Sequence, residues 1–286
     1  MEQPINEAIK KLLNEKILDL ETALNSDVLA YYGSIVDGNE NELLDIIEDL
    51  SKDSNKKDQL AVLLTTNGGS AVAVERYVNI IRKNYSKVIF IVPNYAYSAG
   101  TIFCMSGDEI WMDYFSVLGP IDPQVKNKEG NFVPALGYLD KVNELIKKAQ
   151  DGSLTNAEFL ILKDFDLAEL RAYEQARELT VTLLKNWLVK YKFKNWNTHK
   201  SSGNTVTVDE KKHRAEEIAK DLGNNKKWKS HGRPINIEAL KELKLIINDY
   251  SDQPEFRDKI RAYYKLQQNY VNNYKYNIFI HTRKFI

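Results

Sequence analysis

The sequence predicts an α/β fold built on a mostly parallel sheet, and three observations carry that prediction. Short, continuous apolar runs recur, at Leu60–Thr65 and Val88–Val92 among others. An unbroken run of this kind suits a strand buried on both faces, which is the situation in a parallel sheet covered by helices. Amphipathic segments of helical period alternate with the runs. Turns rich in glycine and small residues, Asn67-Gly68-Gly69-Ser70 and Tyr97-Ser98-Ala99-Gly100, sit where a strand hands over to a helix.

The elements follow in order. Apolar positions at helical spacing from Ile5 to Leu24 predict an amphipathic N-terminal helix, an arm that packs on a neighbour. Val28–Gly33 is strand-like, and Asn41–Leu50 is helical with Leu43, Leu44, Ile46, Ile47 and Leu50 on or near one face. Strands at 60–65, 88–92 and 109–112 alternate with helices at 71–83 and 98–106. The pattern changes after Gly119. Pro120-Ile121-Asp122-Pro123-Gln124 is a stiff, extended segment, because each proline fixes φ and disfavours helix at the residue before it. Lys126–Asn131 reads as a polar loop, Leu139–Gln150 as a short helix and Asp166–Lys192 as a long one. Asn195–Asn204 is a polar loop. Thr207-Val208-Asp209 is placed to cap a helix running to Leu222. Trp228–Ile235 is a loop and Ile237–Leu243 a helix, with Leu245–Ile247 either a last strand or an extension of that helix. The tail from Pro254 is helical in its first half and β-like at Tyr276–Ile280. Three parts are expected: an N-terminal helical arm (1–26), a main domain (27–250) and a C-terminal extension (251–286).

Composition narrows the function classes. A chain of 286 residues can bury a substantial core, and 43% hydrophobic with 28% charged residues is ordinary for a soluble globular protein. Forty basic and forty acidic residues cancel, which gives no reason to expect nucleic acid as a partner. The single cysteine, Cys104, lies in the apolar stretch Thr101–Met105. It permits no intrachain disulfide and reads as a core residue. No apolar h-region and no run long enough for a spanning helix is present, so a cytoplasmic protein without stable membrane insertion is expected. No Cys/His metal pattern and no P-loop appears, and no cofactor is expected. His199, His213 and His281 lack supporting context and are expected at the surface.

Chemistry is suggested where the two turns meet. Serine is a poor nucleophile at neutral pH and needs a base and a home for the developing oxyanion. Ser98 falls at a predicted helix N-terminus, with the Ala99 N–H beside it. Gly68 and Gly69 end a buried strand, and glycine lets the backbone turn sharply enough to aim an N–H into a cleft. The plain alternatives are an N-cap serine and a tight strand–helix turn. The pairing of both features one βα unit apart favours a nucleophile with an oxyanion hole formed by Gly68, Gly69 and Ala99. Asn67 and Asp122 are candidate lining residues, and Asp122 between two prolines equally suits a turn.

Thr66-Asn67-Gly68-Gly69-Ser70, Tyr97-Ser98-Ala99-Gly100-Thr101, Asp108-Glu109-Ile110 and Gly119-Pro120-Ile121-Asp122-Pro123-Gln124 together resemble the Clp protease/crotonase fold. Within it, the last segment is similar to the serine dehydrogenase proteinase and signal peptide peptidase-like branch. The resemblance covers the first half of the chain well and the second half loosely. It implies a spiral of ββα units, serine peptidase activity on peptides or unfolded protein segments, homo-oligomers, and Ser98 as nucleophile. The chain departs from the Clp pattern at the base: the place after the nucleophile helix, near Gly119–Ile121, holds no histidine.

Two residues compete for that role. Lys163 holds the position of the lysine used by the signal peptide peptidase branch. It follows the apolar run Leu160-Ile161-Leu162, which would desolvate its ammonium and favour the neutral amine. His231, in Trp228-Lys229-Ser230-His231-Gly232, titrates in the useful range, and a similar Ser-His segment recurs in serine dehydrogenase proteinase-like chains. Lys141 is a weaker candidate. Two other classes share the scaffold: a non-catalytic oligomeric assembly protein, favoured by the tyrosine-rich tail, and a crotonase-like acyl-CoA enzyme.

Overall fold

The computed structural model describes residues 4–126, 132–199 and 202–286. The polar loop expected at 126–131 lies, from 127 on, outside the described residues. Six strands form the main sheet: β1 (Asp27–Gly33), β2 (Gln59–Thr65), β3 (Lys87–Val92), β5 (Glu109–Met112), β9 (Asn248–Asp249) and β10 (Ile278–His281). Their order is β10-β1-β2-β3-β5-β9. All neighbours are parallel except β10, which runs antiparallel to β1 in the register Ala30↔His281 to Gly33↔Ile278.

The apolar runs do what unbroken runs require. Leu60, Val62 and Leu64 of β2 face one core, and Ala61 and Leu63 face the other. Phe90 and Ile89 divide in the same way on β3. The first face is covered by α2 (Glu40–Ser51), α3 (Ala71–Asn84) and α4 (Ala99–Met105), and further out by α7 (Leu167–Trp187) and α8 (Val208–Leu222). Period-2 alternation of a strand with apolar residues on both sides thus fixes a three-layer arrangement. Short segments continue past the main strands: β4 (Tyr95–Ala96) pairs in parallel with β6 (Val117–Leu118), and bridges join Ile35 to Gly69, Thr66 to Ala96 and Leu118 to Ile235. A main strand, a short second strand and a helix recur, which is the spiral ββα arrangement expected.

The second face differs from expectation. α1 (Pro4–Leu24) packs on this chain's own sheet and on α11 (Pro254–Tyr274), not outward as an arm. Leu13, Ile17 and Leu20 are fully buried with Val28, Ile91, Tyr263 and Tyr270. The physical reason is that β1–β3 are apolar on both sides, and α1 and α11 supply apolar residues that cover the second. The tail is tied in electrostatically as well. Arg283 Nη1 lies 2.7 Å from both Glu21 Oε1 and Asp27 Oδ1.

Further features depart from the sequence reading. Residues 156–163 form α6 (Asn156–Lys163), capped by Thr155 and Glu158 in a reciprocal capping box. Asn225–Trp228 forms the short α9. Leu245–Ile247 is neither strand nor helix extension; it is irregular backbone that joins α10 (Ile237–Glu242) to β9. α5 (Ala135–Gln150) starts four residues earlier than the expected Leu139, straight after the hairpin of β7 (Gln124–Lys126) and β8 (Phe132–Pro134). α7 ends in a π-helical turn, Leu188–Lys192. His281 is fully buried rather than at the surface, with Nδ1 2.7 Å from the Tyr263 hydroxyl and Nε2 2.8 Å from Asn14 Oδ1.

Candidate active site

The two turns singled out by sequence meet at the C-terminal edge of the main sheet. Thr66 N donates to Tyr95 O at 3.1 Å and Tyr97 N to Thr66 O at 2.9 Å, so the chain after β2 is laced to the chain after β3. This brings Gly68 against Ser98. A Cβ built on Gly68 would stand 2.9 Å from Ser98 Cβ and 2.8 Å from the Tyr97 carbonyl oxygen. Gly68 has φ +102° and Gly69 φ +142°, and a Cβ on Gly69 would collide with the Ile35 carbonyl. Both positions need glycine for their backbone angles and for the close approach.

Ser98 is half-buried with φ 52° and ψ −115°, a conformation L-residues rarely hold. Its side chain makes no cap hydrogen bond to α4, although it occupies the N-cap position. An ordinary capping serine keeps extended backbone angles and accepts from N2 or N3; Ser70, at the start of α3, does so through Ala73 N. Ser98 is therefore turned away from the capping role, on a sharp strand-to-helix turn that exposes its hydroxyl. Strain of this kind costs on the order of 1–3 kcal/mol and persists only where surrounding structure enforces it. Here the enforcing contacts are the Gly68 turn on one side and Gly119 on the other, which admits no Cβ beside the Tyr97 ring.

Around Ser98 the backbone donors are unequal. Gly68 N–H is given to Thr66 Oγ1 at 2.9 Å. Gly100 N donates to Tyr97 O and Ser70 N to Ile35 O, each at 2.8 Å. Among the described residues no acceptor is paired with the N–H of Gly69 or Ala99. Those two N–H groups are left unpaired beside Ser98, while at Gly68 it is the missing side chain that permits the close approach. Asn67 is exposed at the tip of the turn.

The segment after β6 approaches the same place. Thr101 Oγ1 accepts from Gly119 N at 3.0 Å and lies 2.8 Å from the carbonyls of Ala96 and Gly119. Ile121 N donates to Leu222 O at 3.0 Å, which fixes the Pro-Ile-Asp-Pro run against the end of α8. From this run Asp122, 2% exposed, faces His231: Oδ1 lies 2.9 Å from Nδ1. Leu118 and Ile235 exchange both backbone hydrogen bonds, at 3.0 and 2.9 Å, so the histidine loop is anchored beside the strand that pairs with β4. Lys229, at φ 64°, turns the loop just before His231. Ile121 and Pro123, which flank Asp122 on the extended run, line a cavity of about 650 Å³ with Leu136, Arg177 and Val181.

Lys163 stands in different surroundings. It is exposed at the C-terminal end of α6, a helix without a buried residue. Most of the apolar run before it is itself half or more exposed, with Phe159 at 55%, Leu160 at 65% and Ile161 at 51%, and only Leu162 is partly buried. The run supplies little shielding, because α6 packs mainly on α5 and carries most of its apolar residues outward. Lys141 is likewise exposed and paired with Glu144 at 3.0 Å. Cys104 is fully buried on α4, where burial pushes its thiol far above the usual range, as a core residue requires.

Two residues of this site had no role assigned from sequence. Thr66 orders the Gly68 turn through its hydroxyl. Gln124 donates to the second Asp122 oxygen at 3.0 Å. The signal for Gln124 was present: two residues apart on an extended segment, Asp122 and Gln124 share a face.

A family model described as ClpP-like SDH-type serine proteinase matches residues 36–210. Two uncharacterized proteins of Methanocaldococcus jannaschii are similar, one 32% identical over 187 residues and the other 29% over 194. These alignments cover 65% and 68% of this chain but 51% and 54% of the relatives, so the chain spans about half the length of the curated relatives it matches. Among solved structures, a mutant of the 1510-N membrane-bound stomatin-specific protease aligns with a TM-score of 0.47 at 14% identity, covering 81% of this chain and 82% of that one. ClpP1 from Listeria monocytogenes aligns with a TM-score of 0.42 at 13% identity, covering 84% and 95%.

Proposed function

The chain belongs to the ClpP-like SDH-type serine proteinases, and from that premise we propose that it hydrolyses peptide bonds in peptides or unfolded protein segments through an acyl-enzyme on Ser98. The observation that carries this reading is the backbone of Ser98, held at φ 52° against a glycine that leaves room for it and released from capping. His231 is the base in this reading. With its proton on Nδ1 and donated to Asp122 Oδ1, the ring keeps the Nε2 lone pair as the base that accepts the Ser98 proton when Oγ attacks the scissile carbonyl. The carbonyl oxygen becomes an oxyanion and accepts from the N–H groups of Gly69 and Ala99. Collapse breaks the C–N bond, and the imidazolium returns its proton to the leaving amine. Water then repeats the sequence on the ester, giving its proton to His231 and its oxygen to the new carboxylate.

Buried Asp122 supports His231 over Lys163, which has no comparable partner or shielding in the described residues. The exposed apolar residues of α6 support the homo-oligomer implied by the resemblance, since assembly would cover them. No described helix is long and apolar enough to cross a membrane. The test is labelling of the purified chain with a fluorophosphonate, read by intact mass. Wild type is expected to gain one adduct, lost in Ser98→Ala and reduced about 10³-fold or more in rate in His231→Ala. Lys163→Ala is expected to label like wild type. Absence of labelling in wild type, or loss of labelling in Lys163→Ala with His231→Ala unaffected, would overturn the respective assignment.

A further inference from the structure

Asp122 spends only one of its oxygens on His231. The other, Oδ2, accepts a hydrogen bond from Gln124 Nε2 at 3.0 Å. An ionised carboxylate only accepts, so the NH₂ end of the amide is the end that faces it. Asp122 is 2% exposed, and water is poorly placed to replace that donor. Gln124 is itself held. It opens β7, paired with Pro134 of β8, and the Pro123 carbonyl just before it accepts from Ala135 N at 2.9 Å. The amide therefore approaches the carboxylate from a hairpin, while the imidazole approaches it from the 228–235 loop.

We propose that Gln124 is a positioning residue for the Ser98–His231 chemistry: its amide fixes the rotation of the Asp122 carboxylate, and through it the tautomer and plane of the His231 ring. The proposal rests on the hydrolase reading above. Its physical basis is that a carboxylate turns about one soft torsion. A single bond to His231 leaves that torsion free to swing and Oδ2 buried without a partner. Two donors arriving from different elements leave one orientation that satisfies both oxygens. A donor on Oδ2 also draws charge from the carboxylate. Without it the anion holds the imidazolium proton more tightly.

The experiment compares wild type with Gln124→Met and Gln124→Glu, using fluorophosphonate labelling rates and peptide hydrolysis across the neutral pH range. Thermal unfolding reports whether each variant is folded, and Ser98→Ala and His231→Gln serve as controls. Methionine keeps length and removes the donor. Its kcat and labelling rate are expected to fall about ten-fold, or roughly 1.4 kcal/mol, with KM unchanged and the acidic limb of the profile moved to higher pH. Glutamate donates to Oδ2 only while protonated, so its rate relative to wild type is expected to recover as pH falls. Labelled wild type with both variants matching it in rate and profile would overturn the Gln124 proposal alone, as would a rise in KM at constant kcat, which marks a substrate contact. Wild type that does not label at Ser98 overturns the hydrolase reading, and the Gln124 role falls with it.

Discussion

At the scale of single residues, the site is a set of backbone constraints as much as a set of side chains. Ser98 holds a positive φ that glycine adopts freely. Ser98→Gly is therefore expected to be more stable than Ser98→Ala by about 1 kcal/mol, because only glycine relieves the strain. Neither variant should label. Equal unfolding midpoints for the two would argue that the turn is relaxed. Gly68→Ala is the converse case. It places a methyl group against the Tyr97 carbonyl at a φ of +102°, and a loss of about 2–3 kcal/mol with loss of labelling is expected. His281 supplies the pH dependence. Burial lowers its pKa from 6.5 to about 3, so the folded chain refuses a proton that the unfolded chain accepts. Stability is then full above the unfolded value and declines as pH falls from 6.5 toward 3, by up to about 1.4 kcal/mol per pH unit. Denaturant midpoints measured at descending pH would show this slope in wild type and a flatter one in His281→Gln. An unchanged slope in the variant would place the titration elsewhere.

At the scale of elements, the central strands and helices were readable because they are decided locally. The runs at 60–65 and 88–92 could only be strands covered on both faces, and Thr207 with Glu210 caps α8 as the Thr-x-x-Glu spacing predicts. The same spacing at Thr155 and Glu158 caps α6, ahead of an apolar run. That run stays largely exposed, so its hydrophobicity says nothing about burial within one chain. α9 and β9 were illegible for another reason: each is about one period long, too short for the pattern to repeat. The terminal elements interlock through Arg283, whose side chain is 9% exposed between Glu21 and Asp27. Tyr85 also donates to Asp27, at 2.8 Å. Arg283→Met leaves two buried carboxylates facing each other uncompensated, and a loss of about 3–5 kcal/mol is expected in equilibrium unfolding. A loss within 1 kcal/mol would show that the tail is dispensable to the sheet.

At the scale of the whole molecule, the sheet is the device that assembles the site. Parallel strands β2, β3 and β5 all end on one edge, and the segments beyond it bring Gly68 against Ser98 and Gly119 against Tyr97. Assembly is tested at this scale. Sedimentation of the purified chain is expected to give a species larger than its 33.0 kDa, and Leu160→Lys on the exposed face of α6 is expected to shift it toward the monomer. A wild-type monomer at micromolar concentration would sink that expectation. The sequence by itself determined the fold class, the strand–helix alternation around residues 27–112, and the two turns that present Ser98 and the glycines. These are written in local periodicity and in residues that only certain backbone angles accept. Only the tertiary structure decided which side of the sheet α1 covers, that Lys163 stands in the open, and that His231 meets Asp122. That pair is separated by 109 positions along the chain. Its meeting depends on how α8 and the 228–235 loop return to the sheet edge, and no local pattern encodes a distance of that length.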